Sequence, residues 1–263
     1  MKNYFLVIFL AAMLNSFSQN AGNQGWVRYQ VTFAQKGLLP HKYPGELRFK
    51  DQESLFSYDK KVVSAGQRID TITPGGEKVI LFTPTTKVAD TIGKVVFTNL
   101  LNNTQISREQ ISNKSFIVED TIVAPQWTIG AKTKKIGSFQ CQNATVRYYG
   151  RDYEAWFAPD IPVPFGPWKL NQLPGLILEA TSSDGEVSFV AENIQINAPL
   201  ELVLQPPSSG EKVQGYLRFR EKQDQSVENR KKYAKSIIQE MQKPGTTISL
   251  GSMKPSRFEL SLD

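Results

Sequence analysis

The chain has 263 residues, a formal net charge of +6, one cysteine and one histidine. A single Cys141 and a single His41 exclude an intramolecular disulfide, a Cys/His zinc cage and a multi-histidine metal site. The basic excess is mild and is not interleaved with aromatic residues, so the composition argues against a nucleic-acid-binding protein.

The amino-terminal residues predict a signal peptide. One lysine precedes an apolar run over residues 4–14, and Ser16 and Ser18 are the small residues expected before a cleavage site. This run is shorter than the ~20 apolar residues that span a bilayer, and no later run approaches that length. We therefore expect a signal peptide over 1–18 and a single β-rich domain over 19–263 with no transmembrane helix. The expected location is periplasmic or secreted, with or without association with the outer membrane.

The mature sequence is typical of an all-β protein. Glycine, proline, asparagine or aspartate interrupts it roughly every eight to twelve residues, between short β-branched and aromatic runs. In residues 26–33 Val27, Tyr29, Val31 and Phe33 fall on one side, as in an antiparallel sheet with one buried face. The predicted strands are 26–33, 45–50, 54–58, 79–82, 95–99, 115–119, 127–129, 140–149, 153–157, 176–180, 187–196 and 215–220.

The triplet Asp-Thr-Ile occurs three times, at residues 70–72, 90–92 and 120–122. Aspartate favours turns, and threonine and isoleucine favour strands, so each triplet is interpreted as closing a strand or a turn. The pattern also resembles the Asp-Thr-apolar acceptor for O-glycosylation of exported proteins in some bacteria with an outer membrane. Glycosylation of these threonines stays open at this point.

Neither His41 nor Cys141 is a strong catalytic candidate. His41 lies in a turn-rich stretch, and the chain has no Gly-x-Ser-x-Gly elbow, so an exposed loop histidine is the preferred interpretation. Cys141 would share one strand face with Phe139 and Asn143, which favours a buried structural thiol over a reactive one.

Carboxylates are the remaining candidates for catalysis. Asp152 and Glu154 are predicted on one strand face, and Asp160 and Glu179 flank a proline-rich segment. Acid–base hydrolysis needs two carboxylates that converge in a cleft. The chain contains no phosphate-binding loop, nucleotide fingerprint or EF-hand loop. No catalytic residue, metal ligand or cofactor is therefore assigned.

The segment from 155 to 179 contains five prolines and cannot be a helix or a central strand. It predicts a rigid, largely extended crossover between the strands 153–157 and 176–180, with its aromatic side chains folded onto the sheet. Pro174 and Gly175 suit a type II turn with positive φ at the glycine. The segment either presents Phe165 and Trp168 as a binding platform or fills the open end of a barrel.

The same segment resembles the GLPGLI family of exported bacterial proteins. The hexapeptide that names the family reads here Gln172-Leu173-Pro174-Gly175-Leu176-Ile177, with Gln172 in place of the first glycine. Further matches are Ala155-Trp156-Phe157, Ile161-Pro162 and Gly166-Pro167-Trp168-Lys169. The resemblance implies an envelope protein of bacteria with an outer membrane, and the family has no agreed catalytic residues to transfer. The motif and possible binding surface comprise Trp156, Phe157, Pro162, Phe165, Gly166, Pro167, Trp168, Leu173, Pro174, Gly175 and Leu176.

One long helix is predicted, from about residue 224 to 242. It lacks glycine and proline, Ser226 suits its N-cap, and Pro244 with Gly245 ends it. Its apolar residues recur at roughly helical spacing, so the helix is amphipathic. The predicted fold class is therefore mainly β, a curved antiparallel sheet or incomplete β-barrel with one amphipathic C-terminal helix packed on its concave face.

Three functional hypotheses follow. The preferred one is a non-enzymatic envelope protein that acts as a binding, chaperone or assembly-partner module, with another envelope protein or an apolar ligand as its partner. The second is an envelope hydrolase that uses carboxylates or His41. The third is a structural subunit of an outer-membrane transport or secretion assembly, with the edge strands and the proline-stiffened loop as its interface.

Overall fold

The computed structural model describes residues 24–34, 39–60, 68–72, 78–82, 90–198 and 203–241. The predicted signal peptide, 1–18, lies outside these residues. The strands are β1 (Gln24–Phe33), β2 (His41–Lys50), β3 (Glu53–Tyr58), β4 (Arg68–Ile72), β5 (Lys78–Phe82), β6 (Lys94–Asn99), β7 (Thr104–Ile111), β8 (Lys114–Thr121), β9 (Thr128–Ile136), β10 (Phe139–Tyr148), β11 (Arg151–Ala158), β12 (Leu176–Ser182), β13 (Val187–Ile196) and β14 (Glu211–Gln214), and the helix is α1 (Tyr216–Met241).

Twelve strands form one open sheet in the order β14-β8-β7-β6-β3-β2-β1-β13-β12-β11-β10-β9, which does not close into a barrel. Within this sheet only β14 and β8 pair in parallel. Strands β4 and β5 form a separate antiparallel hairpin. The predicted class, mainly β with an open sheet and one C-terminal helix packed against it, is confirmed.

Strand β1 shows why the sheet has one dry face. Val27, Tyr29 and Val31 are completely buried and Phe33 is 7% exposed, while the residues between them are partly or fully exposed. The alternation predicted for this strand is therefore confirmed. The hydroxyl of Tyr29 donates to the carbonyl oxygen of Ile177 at 2.5 Å, which ties the middle of the sheet to the start of β12.

Residues 159–175 link β11 to β12 without helix or strand, as the prolines predict. The buried face of the sheet lies under this segment, which we call the proline crossover. The ring centroids of Phe165 and Phe49 lie 6.3 Å apart, and those of Trp168 and Tyr149 lie 5.6 Å apart. The crossover also accepts a backbone hydrogen bond from Ile177 at the Phe165 carbonyl (2.9 Å), so backbone pairing as well as packing holds it in place.

The type II turn predicted at Pro174 and Gly175 is wrong. Positive φ occurs instead at Trp168 (55°) and at Gln172 (65°), the position where the family hexapeptide has its first glycine. Glycine is required at 175 for a different reason, since a Cβ there would lie 2.3 Å from the carbonyl oxygen of Ala158. Gly175 therefore permits a close approach of two backbones rather than a left-handed conformation.

The strand predicted over 215–220 is wrong, because helix α1 already begins at Tyr216, ten residues before the expected cap at Ser226. The backbone N–H of Tyr216 donates to Oδ2 of Asp120 (3.0 Å), which lies at the end of β8. Asp120 thus satisfies an orphan N–H at the helix start and places a negative charge at the positive end of the helix dipole.

The helix packs on β8 and β14, at one end of the sheet. Tyr216, Phe219 and Val227 are buried in its first half, and the ring centroid of Phe219 lies 5.8 Å from that of Phe116 on β8. Over the described ranges no helix combines the length and the apolar character needed to cross a membrane.

Candidate binding site

Most of the motif residues lie on the buried side of the sheet. The buried ones are Phe157, Phe165, Gly166, Pro167, Trp168, Leu173, Gly175 and Leu176, the exposed ones are Pro162 and Pro174, and Trp156 is half-buried. Burying a large apolar side chain contributes about 1.5–3 kcal/mol, which is sufficient reason for the aromatic residues. A binding role for these residues stays a prediction.

Lys169 shows how tightly the motif is built into the scaffold. Its side chain is buried, with the residue only 2% exposed, and its Nζ lies 4.4 Å from the ring centre of Tyr216, 4.7 Å from that of Tyr149 and 5.8 Å from that of Trp168. The electron-rich faces of these rings stabilise the ammonium group. The lysine thereby joins the proline crossover, the β10–β11 turn and the start of α1.

The opposite, outer face of the same strands is polar. The strand register aligns Thr128 with Thr145, Thr145 with Glu154, Glu154 with Thr181, and Thr181 with Ser188. These five residues run straight across β9 to β13, and we call them the hydroxyl row. The hydroxyl oxygens of Thr181 and Ser188 are 3.4 Å apart.

An open groove of about 450 Å³ lies along this row. It is lined by Gln126, Thr128, Thr145, Val146, Arg147, Asp152, Tyr153, Glu154, Thr181, Ser182 and Ser183. Most of the lining residues have polar side chains, namely hydroxyls, carboxylates, an amide and a guanidinium, and the methyl groups of the threonines, Val146 and the ring of Tyr153 add apolar surface. All of them stand on paired strands or on the short connections next to these strands, so the groove is held by a rigid scaffold.

Charges on this face occur in pairs. The ion pairs are Arg147–Asp152 at 3.3 Å, Lys132–Glu154 at 3.6 Å and Lys134–Glu179 at 2.7 Å. Lys134 also places its Nζ 4.4 Å from the ring centre of Trp156, in the row next to the hydroxyl row. The three cations match three carboxylates, so the groove and its border carry no net charge from these groups.

The edge strand beside the groove, β9, is bulged. Two side chains of β10 bind the backbone of β9 at the bulge. Oδ1 of Asn143 accepts from the backbone N–H of Lys132 (3.0 Å), and Nε2 of Gln142 donates to the carbonyl of Gly130 (2.7 Å). A Cβ at Gly130 would lie 2.4 Å from Oδ1 of Asn143, so a larger residue there would displace the Asn143 amide from this contact. Bulges and lysines are the devices by which proteins keep edge strands from pairing with other chains. The bulge and the lysines do not favour the edge of β9 as an interface with another protein. The interface role predicted for the edge strands stays a prediction.

The remaining candidates for chemistry are dispersed. His41 is exposed and opens β2, opposite Phe33 on β1. Cys141 is buried, as predicted, with 1% of the residue exposed, and burial raises the pKa of its thiol to about 11. The described residues include no group of three or more side chains able to hold a metal ion.

The carboxylates of β11 lie where the sequence predicted, on one strand face. Asp152 and Glu154 both line the groove, whereas Asp160 is exposed on the crossover and Glu179 is bound to Lys134. The two groove carboxylates therefore stand side by side on one strand, each with its own cation.

The Asp-Thr-Ile triplets close turns and strands, as interpreted. Oδ1 of Asp90 accepts from the N–H groups of Ile92 and Gly93 (3.2 Å each), and Asp120 ends β8 and caps α1. The first triplet, 70–72, ends β4. Glycosylation of the threonines stays a prediction.

Comparison with known proteins gives a likeness of fold. No family model matches the chain, and no curated protein matches it. Two solved structures of PNGF-II, in the P21 and C2 space groups, are 16% identical over 78% of this chain, with TM-scores of 0.50 and 0.48. The match covers 34% and 33% of those chains, so this chain spans about one third of their length. At this identity the first of them shows a shared fold alone.

Proposed function

We propose that this chain is a non-enzymatic binding module of a bacterial cell envelope, of the GLPGLI type, and that it acts in the periplasm or outside the cell. It holds its ligand in the groove on the outer face of β9 to β12. The observation that carries this proposal is the contrast between that open polar groove and the buried motif on the reverse of the same strands.

The structure of the groove supports binding because most of its polar groups stand on hydrogen-bonded strands. Precise recognition of a ligand requires side chains whose positions are fixed by the scaffold. Thr145 and Glu154 lie opposite each other in the β10–β11 ladder, so their spacing is set by the backbone pairing.

The carboxylates support binding over hydrolysis. Asp152 and Glu154 project side by side from β11 and pair with Arg147 and Lys132. Glycoside hydrolysis, in contrast, uses two carboxylates that face each other across the bond to be cleaved.

A native pull-down from envelope fractions tests the proposal. The tagged full chain is expressed with its own residues 1–18 in a bacterium with an outer membrane, beside the variants Thr145→Arg, which blocks the groove, and Thr121→Arg, a matched change at the exposed end of β8. We expect the wild type and Thr121→Arg to recover the same ligand and Thr145→Arg to lose it. Equal recovery by both variants, or none by the wild type, would refute the proposal.

Intact-mass measurement of the same exported protein tests the location. We expect a chain that begins at Gln19 and is found in the periplasm or the medium. A chain that retains Met1 and stays in the cytosol would contradict export.

A further inference from the structure

We infer that the groove binds an oligosaccharide, a neutral chain rich in hydroxyl groups, which lies along the hydroxyl row. This inference rests on the proposed function, because it names the ligand class of the same groove.

The chemistry of the row matches a hydroxyl-rich ligand. The threonine hydroxyls of Thr128, Thr145 and Thr181 each donate and accept a hydrogen bond, while the ionised carboxylate of Glu154 only accepts. A sugar hydroxyl likewise donates and accepts, so a mixed row of this kind can satisfy successive hydroxyls along one ligand. Neighbouring residues of the row are separated by one strand spacing, ~4.8 Å. This distance is comparable to the length of one pyranose ring.

The charges of the groove select a neutral ligand. Arg147 pairs with Asp152, and Lys132 with Glu154, so no excess of one sign is left to attract a charged polymer. Attraction of an acidic or basic chain depends on a surface dominated by the opposite charge. A nucleic acid, a polyanionic glycan or a basic peptide therefore lacks the electrostatic partner it would need here.

The position of the groove disfavours an extended peptide. Peptides that bind to sheets add a strand at an edge and use the free backbone groups there. The groove lies on the face of β10 and β11, which pair with each other and with β9 and β12 on their outer sides. A ligand on this face can reach side chains but no backbone ladder, which suits a saccharide.

Trp156 supplies a local reporter of binding. It is two residues from Glu154 on the outer side of β11 and is half-buried, with Lys134 over its ring. We expect a ligand in the groove to change the emission of this indole, and comparison of Trp156→Phe with the wild type separates its contribution from that of Trp127, which lies between the lining residues Gln126 and Thr128.

The test is binding of the exported full chain to an array of neutral oligosaccharides, with uronic-acid oligosaccharides and acidic and basic peptides as further arms. We expect a neutral oligosaccharide to bind and to change the tryptophan emission. The double variant Thr145→Val/Thr181→Val removes two hydroxyls at nearly constant volume and should weaken binding on the order of tenfold. The control Thr104→Val/Thr121→Val, a cross-strand threonine pair on β7 and β8, should bind as the wild type does.

Two results would overturn the inference. One is that no neutral oligosaccharide binds, or that a charged glycan or a peptide binds instead. The other is that the groove double variant and its control bind equally well. If the pull-down still recovers a protein or lipid that Thr145→Arg loses, the saccharide inference fails while the binding module stands; if the pull-down is also empty, both fail.

Discussion

The two faces of β10 to β12 differ in what the sequence makes visible. Their inner face carries the proline crossover and the aromatic residues that resemble a known family, and it is buried, with Phe165 1% and Trp168 2% exposed. Their outer face carries threonines and paired charges that form no motif, and it is open to solvent. A recognisable motif can therefore mark the scaffold, while the residues of the open face are of a kind that any solvent-facing strand contains.

The largest expected difference between the two faces is in the free energy of unfolding that their side chains contribute. Phe165→Ala removes a buried ring and should lower the free energy of unfolding by about 3–5 kcal/mol. Trp156→Ala removes a half-buried ring and its contact with Lys134, and should cost about 1 kcal/mol. Urea denaturation of the two variants measures the difference. Equal losses would mean that the inner and outer faces are not the dry and wet sides of the sheet.

Two glycine substitutions distinguish a steric clash in the crossover from backbone strain alone. Gly175→Ala forces a Cβ against the Ala158 carbonyl oxygen and should lower the free energy of unfolding by about 1–3 kcal/mol through overpacking. Gly137→Ala is the control, because nothing lies within 4 Å of its Cβ and only its φ of 59° opposes the change, at about 1 kcal/mol. Thermal denaturation compares them, and a smaller loss for Gly175→Ala would contradict the close backbone contact.

The border between the faces should respond to pH. Burial raises the pKa of Asp184, but hydrogen bonds from Ser182 and the Glu186 N–H and the charge of Arg151 outweigh it, so the pKa lies below its usual range. A lowered folded-state pKa stabilises the protein above the unfolded value of about 3.9, and this stabilisation is lost as the pH falls through the folded value. Because Asp184 is partly exposed and solvent screens its interactions, Asp184→Asn should cost about 0.5–1 kcal/mol at pH 7 and flatten the decline in stability below about pH 4. Denaturant titrations at pH 7 and pH 3 check this, and an unchanged pH profile in the variant would disprove it.

The smallest effect belongs to the exposed pair on the outer face. Arg147 and Asp152 are both 62% exposed, so Arg147→Ala should change the free energy of unfolding by less than about 0.5 kcal/mol. The same variant removes a donor from the groove and should weaken ligand recovery in the pull-down. A large loss of stability, with recovery intact, would make this pair structural.

Local sequence patterns predicted much of the fold. The alternation in β1 sets the direction of its side chains, and the five prolines of the crossover fix φ and remove backbone donors. These properties depend only on residues that are close in the chain, so the sequence predicts them. The start of α1 was missed because its cap, Asp120, is remote in sequence. Strand β7 was missed because Arg108 and Glu109 read as exposed; Arg108 is buried by its pairing with Asp90 at 2.8 Å.

The candidate site could not be predicted in the same way. Thr145, Glu154 and Thr181 are unremarkable exposed strand residues, and they form a row only through the register of three strands. The register includes a bulge between Gln142 and Ala144 in the β9–β10 pairing, which sequence alone does not reveal. The one sequence signal that would have indicated this row is a threonine at matching positions of several successive hairpin strands.

Photo-crosslinking tests most directly whether the ligand lies on the outer face and the motif serves as scaffold. A benzophenone amino acid is introduced either at position 145, in the groove, or at position 174, an exposed site in the motif, and the full chain is irradiated in intact cells. We expect an adduct from position 145 and none from position 174. An adduct from position 174 alone would contradict the assignment and return the binding role to the motif.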